Sequence, residues 1–308
     1  MNQADEQYKK IVEHTIENGY SDENENVRTV WADGSPAHTL STIGHSMRFD
    51  NKQVPILTTK HVAWKTAIKE LLWIWQKKSN KVQDLRDMGV KIWDEWELPD
   101  GTIGKAYGYQ LKKKNRKIET LKFQVPYGDT FLITNEEGIA FQVENDGALF
   151  NKVDQVDYLL HQLDYKPSSR RHITTLWNPD ELDEMSLTPC VYETQWHVKD
   201  SKLHLEVRCR SNDLALGNPF NVFQYNVLQR MIAQVLGYGL GEYIYHIGDA
   251  HVYTKHIEGL KEQVNRESFE APTLWINPEV KNFYDFTIDD FKLIGYEHGE
   301  KIKFEVAI

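Results

Sequence analysis

Cys190, Arg210, Glu70 and Asn221 are the residues from which nucleophilic and proton-transfer chemistry can most readily be assembled in this chain. Cys190 lies in Thr188-Pro189-Cys190-Val191, ahead of Arg208-Cys209-Arg210-Ser211-Asn212-Asp213 and Gly217-Asn218-Pro219-Phe220-Asn221. Between them, Val191 to Val198 is β-prone, Lys199-Asp200-Ser201-Lys202 is polar turn material, and Leu203, Leu205, Val207 and Cys209 alternate with polar residues. A hairpin centred between Asp200 and Ser201 sets Cys190 opposite Ser211 and beside Arg210, to within a residue or two. Thiolate is the nucleophilic form of cysteine, and a neighbouring guanidinium lowers a thiol pKa from about 8.5 toward physiological pH. The expectation is a Cys190 activated without histidine. An isolated cysteine is more often a small buried hydrophobe; the arginine neighbour shifts the balance toward chemistry.

The elements around this hairpin follow from periodicity. Tyr8, Ile11, Val12 and Ile16 mark an amphipathic helix closed by Asn18-Gly19, and Thr39 to Phe49 alternates as a strand. A second helix, Val62 to Gln76, surrounds Glu70 with Ala67, Trp73 and Ile74, so burial is expected to raise the pKa of that carboxyl. Trp93, Trp96 and Tyr107 read on their own as core aromatics, and Arg28, Arg170 and Arg171 as solvated loop charges. Val156 to Leu163 looks helical, and a strand is expected over Ile173 to Pro179. Asn218 is expected to cap, and Pro219 to open, a buried helix ending at Gly237, with Asn221 in its first turn. The charged, turn-rich stretch 112–151 reads as a small subdomain or excursion, and its Lys112 to Lys117 run as solvated surface without chemistry.

At 308 residues and 40% apolar content the chain can form a sizeable core. Its net charge of −10 argues against broad nucleic-acid binding but leaves room for a local phosphate pocket. Two cysteines make no disulfide framework and fit a reducing, cytoplasmic setting, and neither a signal peptide nor a long apolar span is apparent. His251, His256 and the other histidines form no cluster with metal-ligand spacing, so no metal is expected. The residues alone support mixed α/β structure.

Thr188-Pro189-Cys190, Arg210-Ser211-Asn212-Asp213 and Pro219-Phe220-Asn221 at this spacing closely resemble the thymidylate synthase signature, and the resemblance runs from Arg28 to Ile308 apart from Lys112 to Asn151. It implies a single α+β domain over 1–308, with a large, mainly antiparallel sheet packed on helices and sheet-to-sheet against its mate in a homodimer. It further implies that Cys190 attacks C6 of dUMP and that 5,10-methylenetetrahydrofolate supplies the one-carbon unit. Arg28, Arg210 and Ser211 are implied for the phosphate, joined by Arg170 and Arg171 from the other subunit, and His251 and Tyr253 for the ribose hydroxyl. Glu70 would handle protons, Tyr107 would wall the site, and Trp93, Asp213, Gly217, Ala307 and Ile308 would meet the folate. The Asn221 amide matches the N3–H donor and O4 acceptor of uracil, and related cytidylate hydroxymethylases carry aspartate there. Val306-Ala307-Ile308 would fold over bound ligands to exclude water.

Four positions depart from the family pattern: Val191 where histidine is common, Cys209 where glutamine is, Ala63 in place of a polar residue, and Glu305 before the final tripeptide. None removes the nucleophile. The competing readings are a pyrimidine hydroxymethylase, which Asn221 disfavours in its cytidylate form, and a noncatalytic nucleotide- or messenger-binding protein, which Cys190, Glu70 and Asn221 together disfavour. A cysteine hydrolase finds no Cys-His-Asn/Asp arrangement in the spacing.

Overall fold

The computed structural model describes residues 2–112, 114–117, 131–134, 140–143 and 149–308. Its centre is a six-stranded sheet in the order Tyr20–Ser21, Thr39–Phe49, Gly239–Tyr253, Lys202–Asp213, Val191–Lys199, Ile173–Thr175. Four of the neighbouring pairs are antiparallel, and Gly239–Tyr253 runs parallel to Lys202–Asp213. A parallel pair needs a crossover, which the helix Gly217–Leu236 supplies before ending at Gly237 in the left-handed region, φ 71°.

The hairpin turns at Asp200 (φ 50°) and Ser201 (φ 57°), and Lys199 faces Lys202, as the polar turn predicts. That register holds to Glu193 opposite Arg208, then shifts so that Val191 faces Cys209. A bulge places two steps of one strand against one step of the other. The Arg210 N–H consequently donates to the Cys190 carbonyl at 2.8 Å, which puts Arg210, not Ser211, across from the nucleophile.

Gly217–Leu236 and Gln3–Asn18 lie against the sheet, and Trp64–Trp75 packs on Gly217–Leu236 as the next layer. Trp64–Trp75 buries Ile68, Leu71, Trp73 and Trp75, and Gly217–Leu236 buries Val222, Phe223, Val227, Leu228, Met231 and Ile232. Each fully buried Leu, Ile or Phe contributes about 1.5–3 kcal/mol. Two buried amides of the central helix are partnered: Asn226 donates to Asn51 Oδ1 at 2.6 Å and Gln229 to Leu203 O at 2.8 Å.

The first helix, Gln3–Asn18, and the strand Thr39–Phe49 form where periodicity places them. Three local expectations need correction. The strand beginning at Ile173 stops at Thr175, because Asn178 caps a 3-10 turn, Pro179–Glu184. The Glu70 helix begins at Trp64, and ahead of it the Val62 N–H donates to the Tyr296 hydroxyl at 3.0 Å. Asn218 is no cap; its amide turns inward to Asn212 Oδ1 at 2.7 Å, and the helix already starts at Gly217.

Lys114–Lys117, Leu149–Val153, Ala140–Val143 and Phe131–Thr134 form a separate antiparallel sheet in that order. Of the lysine run, Lys112 reaches Asn80 Oδ1 at 3.3 Å, and Lys113 lies outside the described residues. Among the described residues no helix is long and apolar enough to cross a membrane, and no cluster of His, Cys, Asp and Glu could hold a metal ion.

Candidate active site

The parallel strand pair ends where the chemistry collects. Asp249 faces Ser211 and His251 faces Asp213, so alternate residues of the two strands line one floor. The strands approach closely here because of Gly248, where a Cβ would lie 2.9 Å from Arg210 O. A cavity of about 490 Å³ opens over this floor. Into it converge Cys190 and Arg210 from the hairpin, Gly217 and Asn221 from the central helix, Tyr253 from the strand end, Arg28 from its loop, and Ala307 and Ile308 from the tail. Ser211, Asp213 and His251 line it as well.

Cys190 is half-buried, and its backbone N–H donates to the Tyr107 hydroxyl at 3.2 Å. Tyr107 holds a positive φ of 47°, an uncommon conformation for a tyrosine that aims its ring at this strand start. Arg210 is clamped beside the thiol: Nε donates to Pro189 O at 3.0 Å, and Nη2 to Thr188 O at 3.0 Å and Oγ1 at 2.7 Å. Burial pushes the Cys190 thiol above its ordinary value, and the Arg210 charge opposes that shift with less weight. The expected thiol activation is therefore reversed. Desolvation of the thiol outweighs the field of the nearby guanidinium.

Glu70, Trp93 and Tyr107 stand behind the cavity wall. Trp93 Nε1 donates to Glu70 Oε1 at 2.6 Å, and Trp93 packs edge-on against Tyr107 and against Trp96, which lines the cavity. Burial raises the Glu70 carboxyl, as its apolar helix predicts, while Trp93 and Gln224 partly hold it down. Gln224 escaped sequence reasoning because a glutamine on a buried helix face carries no spacing signal.

His251 Nδ1 meets Asp249 Oδ1 at 2.9 Å, leaving Nε2 for the cavity. Asp249 thus fixes an imidazole; its two-residue spacing from His251 on a strand was the available signal. Asp213 accepts from the Ala215 N–H at 2.7 Å and orders the turn into the central helix. Asp22, Thr29 and Thr39 also line the cavity and were not anticipated.

The tail is docked. Val30 and Ile308 exchange backbone hydrogen bonds at 2.8 and 2.9 Å, and His256 Nε2 donates to Glu305 O at 2.9 Å. Glu305 itself pairs at the surface with Lys255 at 3.4 Å. Val191 and Cys209 are buried, and burial carries the Cys209 thiol up to about 12. Ala63 precedes the Glu70 helix without a side-chain cap. Arg170 and Arg171 are exposed on the loop before Ile173 and do not line this cavity.

A thiol under a guanidinium, a desolvated carboxyl and an amide gathered at one end of a mixed sheet define an α/β enzyme site built for covalent catalysis. The thymidylate synthase family model matches residues 6–308, and the chain belongs to that family. It is 67% identical over its full length to the full-length thymidylate synthase 1 of Bacillus subtilis strain 168 and 65% identical to the thymidylate synthase of Bacillus phage phi3T, again with complete coverage of both chains. The solved thermostable thymidylate synthase A from Bacillus subtilis superposes with a TM-score of 0.85 at 66% identity, covering 99% of each chain.

Proposed function

We propose that the chain is a thymidylate synthase, methylating dUMP to dTMP with 5,10-methylenetetrahydrofolate and releasing dihydrofolate. The observation that carries the reading is the convergence of Cys190, Arg210 and Asn221 on one cavity. Its volume of about 490 Å³ falls within the range of small-molecule sites.

The Cys190 thiolate adds to C6 of the pyrimidine and makes C5 nucleophilic toward the one-carbon unit. Loss of the C5 proton, elimination of tetrahydrofolate and hydride transfer from that folate then complete the methyl group, and Cys190 leaves. Burial disfavours the thiolate, and the Arg210 charge is the group that opposes this at the thiol. Glu70 manages the proton at the pyrimidine carbonyl, Tyr107 supports the strand start carrying Cys190, and Asn221 reads N3–H and O4. Arg28, Arg210 and Ser211 take the phosphate, His251 and Tyr253 the ribose, and Asp213, Gly217, Trp93, Ala307 and Ile308 the folate side. The Trp96 face and the Asp213 carboxylate offer a flat surface and a hydrogen-bond acceptor suited to a pterin.

The working unit is a homodimer joined through the outer sheet face. Ile43 is 75% and Ile173 43% exposed there, and a recess of about 570 Å³ containing Trp177 and Tyr192 shares Arg210 with the catalytic cavity. Arg170 and Arg171, leading into the edge strand, would then reach the partner's phosphate. The chain acts as one domain with the 112–151 stretch as an excursion. A cytoplasmic setting agrees with two free thiols.

The test is dihydrofolate formation from dUMP and methylenetetrahydrofolate, followed spectrophotometrically with Cys190→Ala as control. A Cys190-dependent signal supports the reading; its absence in folded, nucleotide-binding protein overturns it.

A further inference from the structure

Glu70 is buried, no ion pair reaches it among the described residues, and two neutral donors satisfy its two oxygens. Trp93 serves Oε1; Gln224, 2% exposed on the central helix, serves Oε2 at 2.8 Å. The same Gln224 nitrogen donates to Ala67 O at 2.9 Å, one turn before Glu70 in its helix. Both hydrogens of the amide are thereby committed, one to the backbone and one to the carboxyl, so Gln224 has a fixed orientation and presents a donor, never an acceptor, to Glu70. The Glu70 charge acts on the hydroxyls of Tyr107 and of Tyr225 on the central helix, both neutral at ordinary pH because burial raises them.

We propose that Gln224 is a positioning residue for the reaction, setting the orientation and proton affinity of Glu70 from the side opposite Trp93. This rests on the assignment of Glu70 as the proton-handling group. The neighbour of the nucleophile, Val191, is buried and apolar and supplies no hydrogen bond to this carboxyl. Proton affinity at Glu70 is therefore governed by burial against two neutral hydrogen bonds. A donor to the charged form stabilises it, so losing the Gln224 donor leaves burial less opposed and raises the carboxyl further.

Gln224→Met keeps the shape and removes the donor. The carboxyl stretch of Glu70, read as the pH-dependent infrared band missing from Glu70→Gln, is expected to titrate about one pH unit higher in Gln224→Met. The matching limb of kcat against pH should move with it, while KM for the nucleotide stays within about twofold. Gln224→Glu, which can donate only when protonated, should restore the donor at low pH alone and titrate as a coupled pair with Glu70. An unchanged Glu70 midpoint in either folded variant overturns the proposal, even if melting temperature falls. The infrared titration does not require turnover, so an enzyme inactive toward dUMP would refute the assigned function while leaving the Gln224–Glu70 coupling separately decided.

Discussion

Arg210 sits directly across the hairpin from Cys190, its backbone N–H bonded to the Cys190 carbonyl while its guanidinium grips Thr188 and Pro189 on the nucleophile's own strand. One residue thus holds the thiol's peptide from both the ladder and the side chain, and still leaves the thiol largely governed by burial. The arginine positions Cys190 more than it ionises it.

That balance has a measurable sign. Burial favours the neutral thiol, so iodoacetamide alkylation of Cys190 in the ligand-free protein should rise with pH through a midpoint above the ordinary value of about 8.5. Arg210→Met removes the opposing positive charge and should carry the midpoint higher still. A midpoint below 8 in the unsubstituted protein, measured by mass spectrometry of the alkylated peptide, would contradict the dominance of burial.

Cys190→Ala should lower turnover by roughly 10⁴-fold or more, because no other group in the cavity can add to the ring. Nucleotide affinity, measured by calorimetry, should persist because Arg28, Arg210 and Ser211 remain. Undiminished turnover would eliminate the covalent mechanism.

Asn221→Asp exchanges a two-sided amide for an acceptor-only carboxylate. Competition between dUMP and dCMP should then shift toward the cytidine nucleotide by about tenfold or more, the penalty of an unpaired buried polar group. An unchanged ratio would remove Asn221 from base recognition.

The features legible in the sequence were those fixed by neighbours along the chain. Asp200 and Ser201 announce their turn, Ile68 to Trp75 announce a helix that desolvates Glu70, and Gly237 announces the end of the central helix. The bulge between Val191 and Glu193 is set by the sheet on both sides of the hairpin, and no local residue signals it. The Cys190 shift was misread for a related reason: a charge neighbour is visible in the sequence, whereas the burial opposing it is a sum over segments far apart in the chain. The same applies to Asn218, whose capping propensity yields to a buried bond with Asn212. Asp249 and Gln224 matter through the residues they touch, and contact across strands or helices is not written in spacing.

Arg170 and Arg171 offer the sharpest test of assembly, since they are exposed and do not line their own cavity. Alanine at either should raise the KM for dUMP by about tenfold, the loss of a charge-assisted phosphate contact. If the contact crosses a dimer, Arg170→Ala/Arg171→Ala protein mixed with Cys190→Ala protein under conditions of subunit exchange should regain activity. The heterodimer would then hold one site with an intact thiol and intact arginines. Mixing without recovery, with exchange confirmed by differential labelling, would place these arginines outside the catalytic unit.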